Sequence, residues 1–142
     1  MCCPYFSPLE ARTVAEDTRH SMLPLGGFWY GTCGAEGFTD DKKRSSVLLD
    51  LRCCNLGYAR GQCTRFPKDG EADAVRFTIS SDGPESVGLY YVIERDHLPF
   101  AHGRLTYSRT ARSIEQLPSS DRLARQAQAY IESYLRRLGN GR

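Results

Sequence analysis

The sequence lacks a long apolar run and a recognisable export signal. Its longest apolar stretch, from Leu89 to Ile93, is far shorter than the roughly 20 residues that a membrane-spanning helix needs. The start Met1-Cys2-Cys3-Pro4 has neither the basic residues nor the apolar segment of a secretory signal. We therefore expect a soluble, cytoplasmic protein with no membrane partner.

Motifs of common catalytic classes are also missing. The chain contains no HExxH sequence, phosphate-binding glycine loop, dinucleotide fingerprint or nucleophile elbow. The CxxxCxxC spacing of radical enzymes that cleave S-adenosylmethionine does not occur either. His97 and His102 flank a predicted hairpin turn beside residues 94–96, and a polar turn explains them more simply than acid–base catalysis. An independent catalytic activity is not expected.

Length and composition indicate one globular domain spanning residues 1–142. Hydrophobic residues make up 40% of the chain and charged residues 25%, which is ordinary for a folded domain. Net charge is +2, but residues 104–142 carry eight arginines against three acidic side chains. This basic portion is suited to nucleic acid or an acidic protein partner, although a solvated helix surface is the simpler interpretation.

The half of the chain after residue 67 contains the clearest periodic patterns. Alternating or mostly apolar segments predict strands over Ala74–Ser80, Val87–Glu94 and Phe100–Tyr107, joined as an antiparallel meander. An amphipathic helix is predicted to begin near Asp121 and to end at Gly139. Its apolar stripe consists of Leu123, Ala127, Tyr130, Ile131, Tyr134 and Leu138.

The half before residue 68 shows less regularity. Prolines and glycines interrupt residues 1–39, where Phe28-Trp29-Tyr30 is interpreted as core or a short strand. A helix is predicted between Asp41 and Asn55, with Cys53 and Cys54 on its last turn. The predicted fold class is α+β, with an irregular cysteine-rich N-terminal half, a three-stranded antiparallel meander and a C-terminal amphipathic helix.

Three of the six cysteines lie within the stretch from Arg52 to Pro67. Disulfides are disfavoured because no export signal is present and the chain is long enough to form its own core. Zinc sites usually use short CxxC-type pairs, and none occurs here, although zinc with scattered ligands stays open. Reactive thiols are a further alternative.

An iron–sulfur cluster is the favoured interpretation, because its four thiolates can arrive from separate loops. Cys3-Pro4 matches a Cys-Pro step found in cluster-binding loops. Glycines in the loop before Cys63 would let backbone N–H groups approach cluster sulfurs, and arginines would offset the negative charge of the cluster. The residues assigned to this outer layer are Gly57, Tyr58, Arg60 and Gly61.

Several segments together resemble a family of small bacterial proteins of unassigned function. They are Cys3-Pro4-Tyr5-Phe6, Gly31-Thr32-Cys33, the stretch from Cys54 to Cys63, Phe66-Pro67, and Glu94-Arg95-Asp96-His97. The family pattern has single cysteines where this chain has Cys2-Cys3 and Cys53-Cys54. The resemblance implies that Cys3 and Cys54 are ligands and that Cys2 and Cys53 are additions.

The sequence therefore predicts a metal-binding half, residues 1–67, and a supporting half, residues 68–142. The hypothesis is a [4Fe–4S] cluster held by Cys3, Cys33, Cys54 and Cys63, serving electron transfer or redox sensing with a redox protein partner. The alternative is a zinc-stabilised interaction module that binds nucleic acid or protein through its basic C-terminal helix.

Overall fold

The structure, a computed structural model, describes residues 2–12, 24–26, 28–33, 63, 72–116, 118 and 120–140. Within these ranges the chain is mostly β, with two antiparallel sheets and a C-terminal helix. In chain order the elements are β1 (Phe6–Arg12), β2 (Phe28–Cys33), β3 (Ala74–Asp82), β4 (Ser86–Arg95), β5 (Leu98–Ser108), β6 (Ser113–Ile114) and α1 (Asp121–Asn140).

The larger sheet has four strands in the order β3-β4-β5-β6. The three strands predicted from the sequence lie within β3, β4 and β5, but the prediction of a three-stranded meander is wrong because β6 pairs with the end of β5. β6 comprises only Ser113 and Ile114, which is too short for an alternating pattern to show. A tight turn containing Arg112 in the left-handed region (φ 57°) brings it back along β5.

The smaller sheet, β1-β2, overturns the prediction of an irregular N-terminal half. Pro8 lies in β1 at a shift of register, where an irregular ladder tolerates a residue without an N–H group. Gly31 lies opposite Pro8, and a Cβ there would be 2.0 Å from the Ser7 carbonyl oxygen. Pro8 and Gly31 thus interrupt the alternating pattern from which these strands could have been predicted. The helix predicted between Asp41 and Asn55 falls outside the described residues.

α1 begins where the cap residues predict. Ser120 Oγ accepts a hydrogen bond from the Leu123 N–H at 3.3 Å, which is the usual role of an N-cap serine. The helix continues through Gly139 to Asn140, one residue beyond its predicted end. Its buried face includes the predicted Leu123, Ala127 and Ile131, and also Gln126, Ala129 and Ser133.

Buried side chains from both sheets and from α1 form one hydrophobic cluster. Phe77 of β3 meets Tyr130 of α1 with ring centroids 5.6 Å apart, and Phe6 of β1 and Trp29 of β2 belong to the same cluster. Burying each large apolar side chain contributes about 1.5–3 kcal/mol. No helix in the described part of the chain is both long enough and apolar enough to cross a membrane.

Candidate metal centre

A turn and a strand pair bring Cys3 and Cys33 to the same end of the β1-β2 sheet. The Phe6 N–H donates to the Cys3 carbonyl at 3.2 Å, closing a turn with Pro4 at its second position, where the fixed φ of proline is favoured. Phe6 is also the register partner of Cys33, the last residue of β2. Two cysteines thirty residues apart in sequence are therefore both adjacent to Phe6.

Cys2 ties this end of the small sheet to the large one. Its backbone forms a bridge with Val75 of β3, in which the N–H of each residue donates to the carbonyl of the other at 2.8 Å. The Cys2 side chain is fully buried, and its Sγ–H donates to the Cys3 carbonyl at 3.4 Å. Burial, and secondarily the neighbouring Cys3, raises the pKa of the Cys2 thiol well above its ordinary value, which favours the protonated form.

Gln126 of α1 holds the turn from the other side. Its Nε2 donates to the Cys3 carbonyl at 2.9 Å and to the Phe6 carbonyl at 2.7 Å, and the residue is 1% exposed. Its Oε1 is buried with no hydrogen-bond partner in the described part of the chain. Sequence periodicity did not identify Gln126, because a glutamine beside the apolar stripe of a helix does not signal burial.

Two arginines of α1 lie over aromatic rings, one over Tyr5 near Cys3 and one over Trp29 at the other end of the small sheet. Trp29, four residues before Cys33 in β2, is buried, and its indole N–H donates to Ser133 Oγ at 3.0 Å. The Arg136 guanidinium lies 5.7 Å from the Trp29 ring centroid, and Arg122 lies 5.4 Å from that of Tyr5. These contacts place both cations against the protein's own rings. The sequence interpretation of Trp29 as core or strand is confirmed, since it is both.

Cys63 is half-buried and packs against the common hydrophobic cluster. It lies outside any disulfide, as does Cys2. Within the described ranges no three histidine, cysteine, aspartate or glutamate side chains form a group that could hold a metal ion, so Cys3, Cys33 and Cys63 do not make up such a group by themselves. The other predicted site residues, Cys54, Gly57, Tyr58, Arg60 and Gly61, lie outside the described residues.

The histidine-bearing hairpin has a structural explanation. Asp96 and His97 occupy the two central turn positions between β4 and β5 with φ of 52° and 64°, the left-handed values of a tight two-residue hairpin. The buried Asp73 accepts a hydrogen bond from the Asp96 N–H at 2.7 Å. This arrangement is the polar turn that the sequence favoured over acid–base catalysis.

Comparison with known proteins identifies no relative: no family model, no curated protein and no solved structure matches the chain. The resemblance of the cysteine pattern to small bacterial proteins therefore stays a prediction.

Proposed function

We propose that this protein binds one [4Fe–4S] cluster through Cys3, Cys33, Cys54 and Cys63 and serves in electron transfer or redox sensing. When bound, such a cluster supplies one-electron redox chemistry. The role of the chain is to present thiolates, to restrict access of water and to set the charge around them.

The observation that carries the proposal is the common position of Cys3 and Cys33 beside Phe6. Thiolates are the preferred ligands of iron–sulfur clusters, and a cluster can take them from separate segments. Cys3 arrives on a turn and Cys33 at the end of a strand, so the two come from segments that are distant in sequence.

The residues present fit the group in donor type and surroundings. Cys3 is buried, and Cys33 and Cys63 are half-buried, so the three residues lie at least partly away from solvent. Pro4 follows Cys3, as in known cluster-binding loops. Cys54 and the glycines that follow it enter on the sequence pattern alone, because they lie outside the described residues.

The structure also bears on the choice between Cys2 and Cys3. Cys2 is fully buried, its backbone bridges Val75, and its thiol already donates a hydrogen bond to the Cys3 carbonyl. A Cys2 ligand would lose the hydrogen bond of its thiol, which supports the assignment of Cys3 that the sequence resemblance implies.

The test is metal analysis with an absorption spectrum on protein purified without oxygen. We expect a brown protein with about four irons per chain, as four cysteine ligands on one [4Fe–4S] cluster require. Cys33→Ser and Cys63→Ser should each lose the colour and most of the iron, whereas the matched control Cys2→Ser should keep both. Full iron retention in Cys63→Ser would contradict the ligand assignment. A colourless protein containing about one zinc would favour the zinc-stabilised alternative.

A further inference from the structure

The four-stranded sheet has one face away from the core, and its side chains form a regular grid. Val75, Phe77, Val87 and Leu89 point into the core, so the residues that alternate with them point outward. The strand register aligns Thr78, Tyr90 and Arg104 across β3, β4 and β5. It aligns Arg76, Val92 and His102 in the neighbouring row.

Two rings lie at the centre of this face. Tyr90 of β4 is half-buried and His102 of β5 is exposed, and their ring centroids are 5.8 Å apart with an angle of 36° between the planes. The two residues are diagonal neighbours across the strands, which is within the reach of aromatic side chains. The two rings, tilted to each other, lie on the outside of the sheet, away from the core.

Positive charge borders the rings, and no outward position of β3, β4 or β5 carries an exposed carboxylate. Arg104 is exposed directly opposite Tyr90, and the Arg76 side chain is 51% exposed. The outward positions of β3, β4 and β5 include one acidic residue, Glu94, whose side chain is 6% exposed and lies 3.6 Å from Arg76. Asp82, at the end of β3, accepts hydrogen bonds from Tyr134 of α1 and from Arg109, and so belongs to the helix side of the sheet.

We propose that this outward face, defined by Arg76, Tyr90, His102 and Arg104, binds single-stranded nucleic acid. Unpaired bases stack on aromatic side chains whatever their sequence, and arginines beside such rings bind the phosphates. The proposal differs from nucleic-acid binding through the basic C-terminal helix, because Arg122 and Arg136 of that helix lie over rings of the protein itself. It is independent of cluster binding, since the face contains no cysteine.

The test is fluorescence anisotropy of a labelled mixed-sequence 12-nucleotide RNA titrated with the full-length protein. Two phosphate contacts predict that affinity falls about sevenfold between about 50 and 200 mM salt. Tyr90→Ala should weaken binding about tenfold and leave the salt dependence unchanged, because stacking involves no counterion release. Arg104→Ala should weaken binding and also reduce the slope of log K against log salt by about 0.7.

The control is Arg125→Ala, which removes an exposed arginine from α1 and should leave affinity unchanged. Tyr90→Phe should retain binding, because it keeps the ring, and thermal unfolding of each variant verifies that it is folded. The proposal is overturned if the protein does not bind the RNA at low salt, or if it binds the corresponding duplex as tightly. It is also overturned if Arg125→Ala lowers affinity while folded Tyr90→Ala and Arg104→Ala do not.

Discussion

Gln126 donates a hydrogen bond to the Cys3 carbonyl although 123 residues separate them in sequence. The same amide nitrogen also donates to the Phe6 carbonyl, so one side chain of α1 holds both ends of the Cys3–Phe6 turn. The orientation of Cys3 therefore depends on the packing of the C-terminal helix. The turn that contains the candidate ligand Cys3 and the helix α1 are thus joined by direct hydrogen bonds.

Gln126→Leu should lower the free energy of unfolding by about 1–3 kcal/mol. The variant removes two buried hydrogen bonds, each of which contributes about 0.5–1.5 kcal/mol, although the Cys3 carbonyl keeps the Phe6 N–H as a donor. Loss of the Gln126 Oε1, which has no partner in the described part of the chain, offsets part of this cost. Urea denaturation followed by the fluorescence of Trp29, the single tryptophan, measures the change.

The matched control for Gln126→Leu is Gln128→Leu, on the same helix. The Gln128 amide donates to the Arg112 carbonyl at 3.4 Å and to Glu132 at 3.2 Å, both in an exposed setting. Surface changes of this kind usually shift stability by less than about 0.5 kcal/mol. Equal losses of stability in the two variants would show that the buried hydrogen bonds of Gln126 stabilise the protein no more than the exposed ones of Gln128.

If the protein holds the proposed cluster, removing its iron with a chelator should reduce hydrogen-exchange protection in β1 and β2 far more than in β3, β4 and β5. The small sheet has two strands, and removing the cluster would break the link that it makes between Cys3 and Cys33. In the large sheet, by contrast, β4 is hydrogen bonded on both sides. Exchange measured by mass spectrometry before and after chelation tests this difference. A uniform loss of protection across both sheets would contradict it.

Arg112→Gly should raise the free energy of unfolding by about 0.5 kcal/mol. Arg112 has φ of 57°, and a left-handed conformation costs a residue with a Cβ about 1–2 kcal/mol. Glycine removes that cost and adds about 0.5–1 kcal/mol of chain entropy in the unfolded state. Arg112→Ala keeps the Cβ and serves as control, with no gain expected. Chemical denaturation of both variants measures the effect, and a less stable glycine variant would refute the explanation.

Stability should fall as pH rises above about 10. The hydrogen bond from the Tyr134 hydroxyl to Asp82, at 2.6 Å, raises the pKa of Tyr134 from 10.0, and burial raises that of Tyr130. Above pH 10 the unfolded chain releases these protons while the folded chain still holds them, so rising pH favours unfolding. Urea denaturation at pH 8 and 10.5 should show a smaller loss in Tyr134→Phe than in the wild type. If Tyr134→Phe loses as much stability as the wild type between pH 8 and 10.5, the Tyr134–Asp82 hydrogen bond does not couple folding to protonation.

Local periodicity predicted the elements that are long and regular. The predicted strand from Ala74 to Ser80 lies inside β3, and the start of α1 at Asp121 follows from the capping residues before it. β6 was not predicted because two residues carry no period. β1 was not predicted, and only residues 28–30 of β2 were interpreted as core or a short strand. Pro8 and Gly31, which accommodate the irregular pairing of these strands, also interrupt the pattern that marks a strand.

For the candidate site, the sequence selected Cys3 and Cys33 by residue type and by the motifs around them. It could not place them together, because their common position depends on the pairing of Phe6 with Cys33. It also gave no sign of Gln126 as a support for the turn, or of Cys2 as a link to Val75.

The sequence alone determined the chemical inventory of the protein: its cysteines, its strong strand patterns and its amphipathic helix. Only the tertiary structure decided which distant residues meet, namely Phe6 with Cys33, Cys3 with Gln126, and Tyr90 with His102 and Arg104. The physical reason is that helices and long strands express local periodicity, whereas strand register and the burial of a polar side chain depend on contacts between residues far apart in the chain.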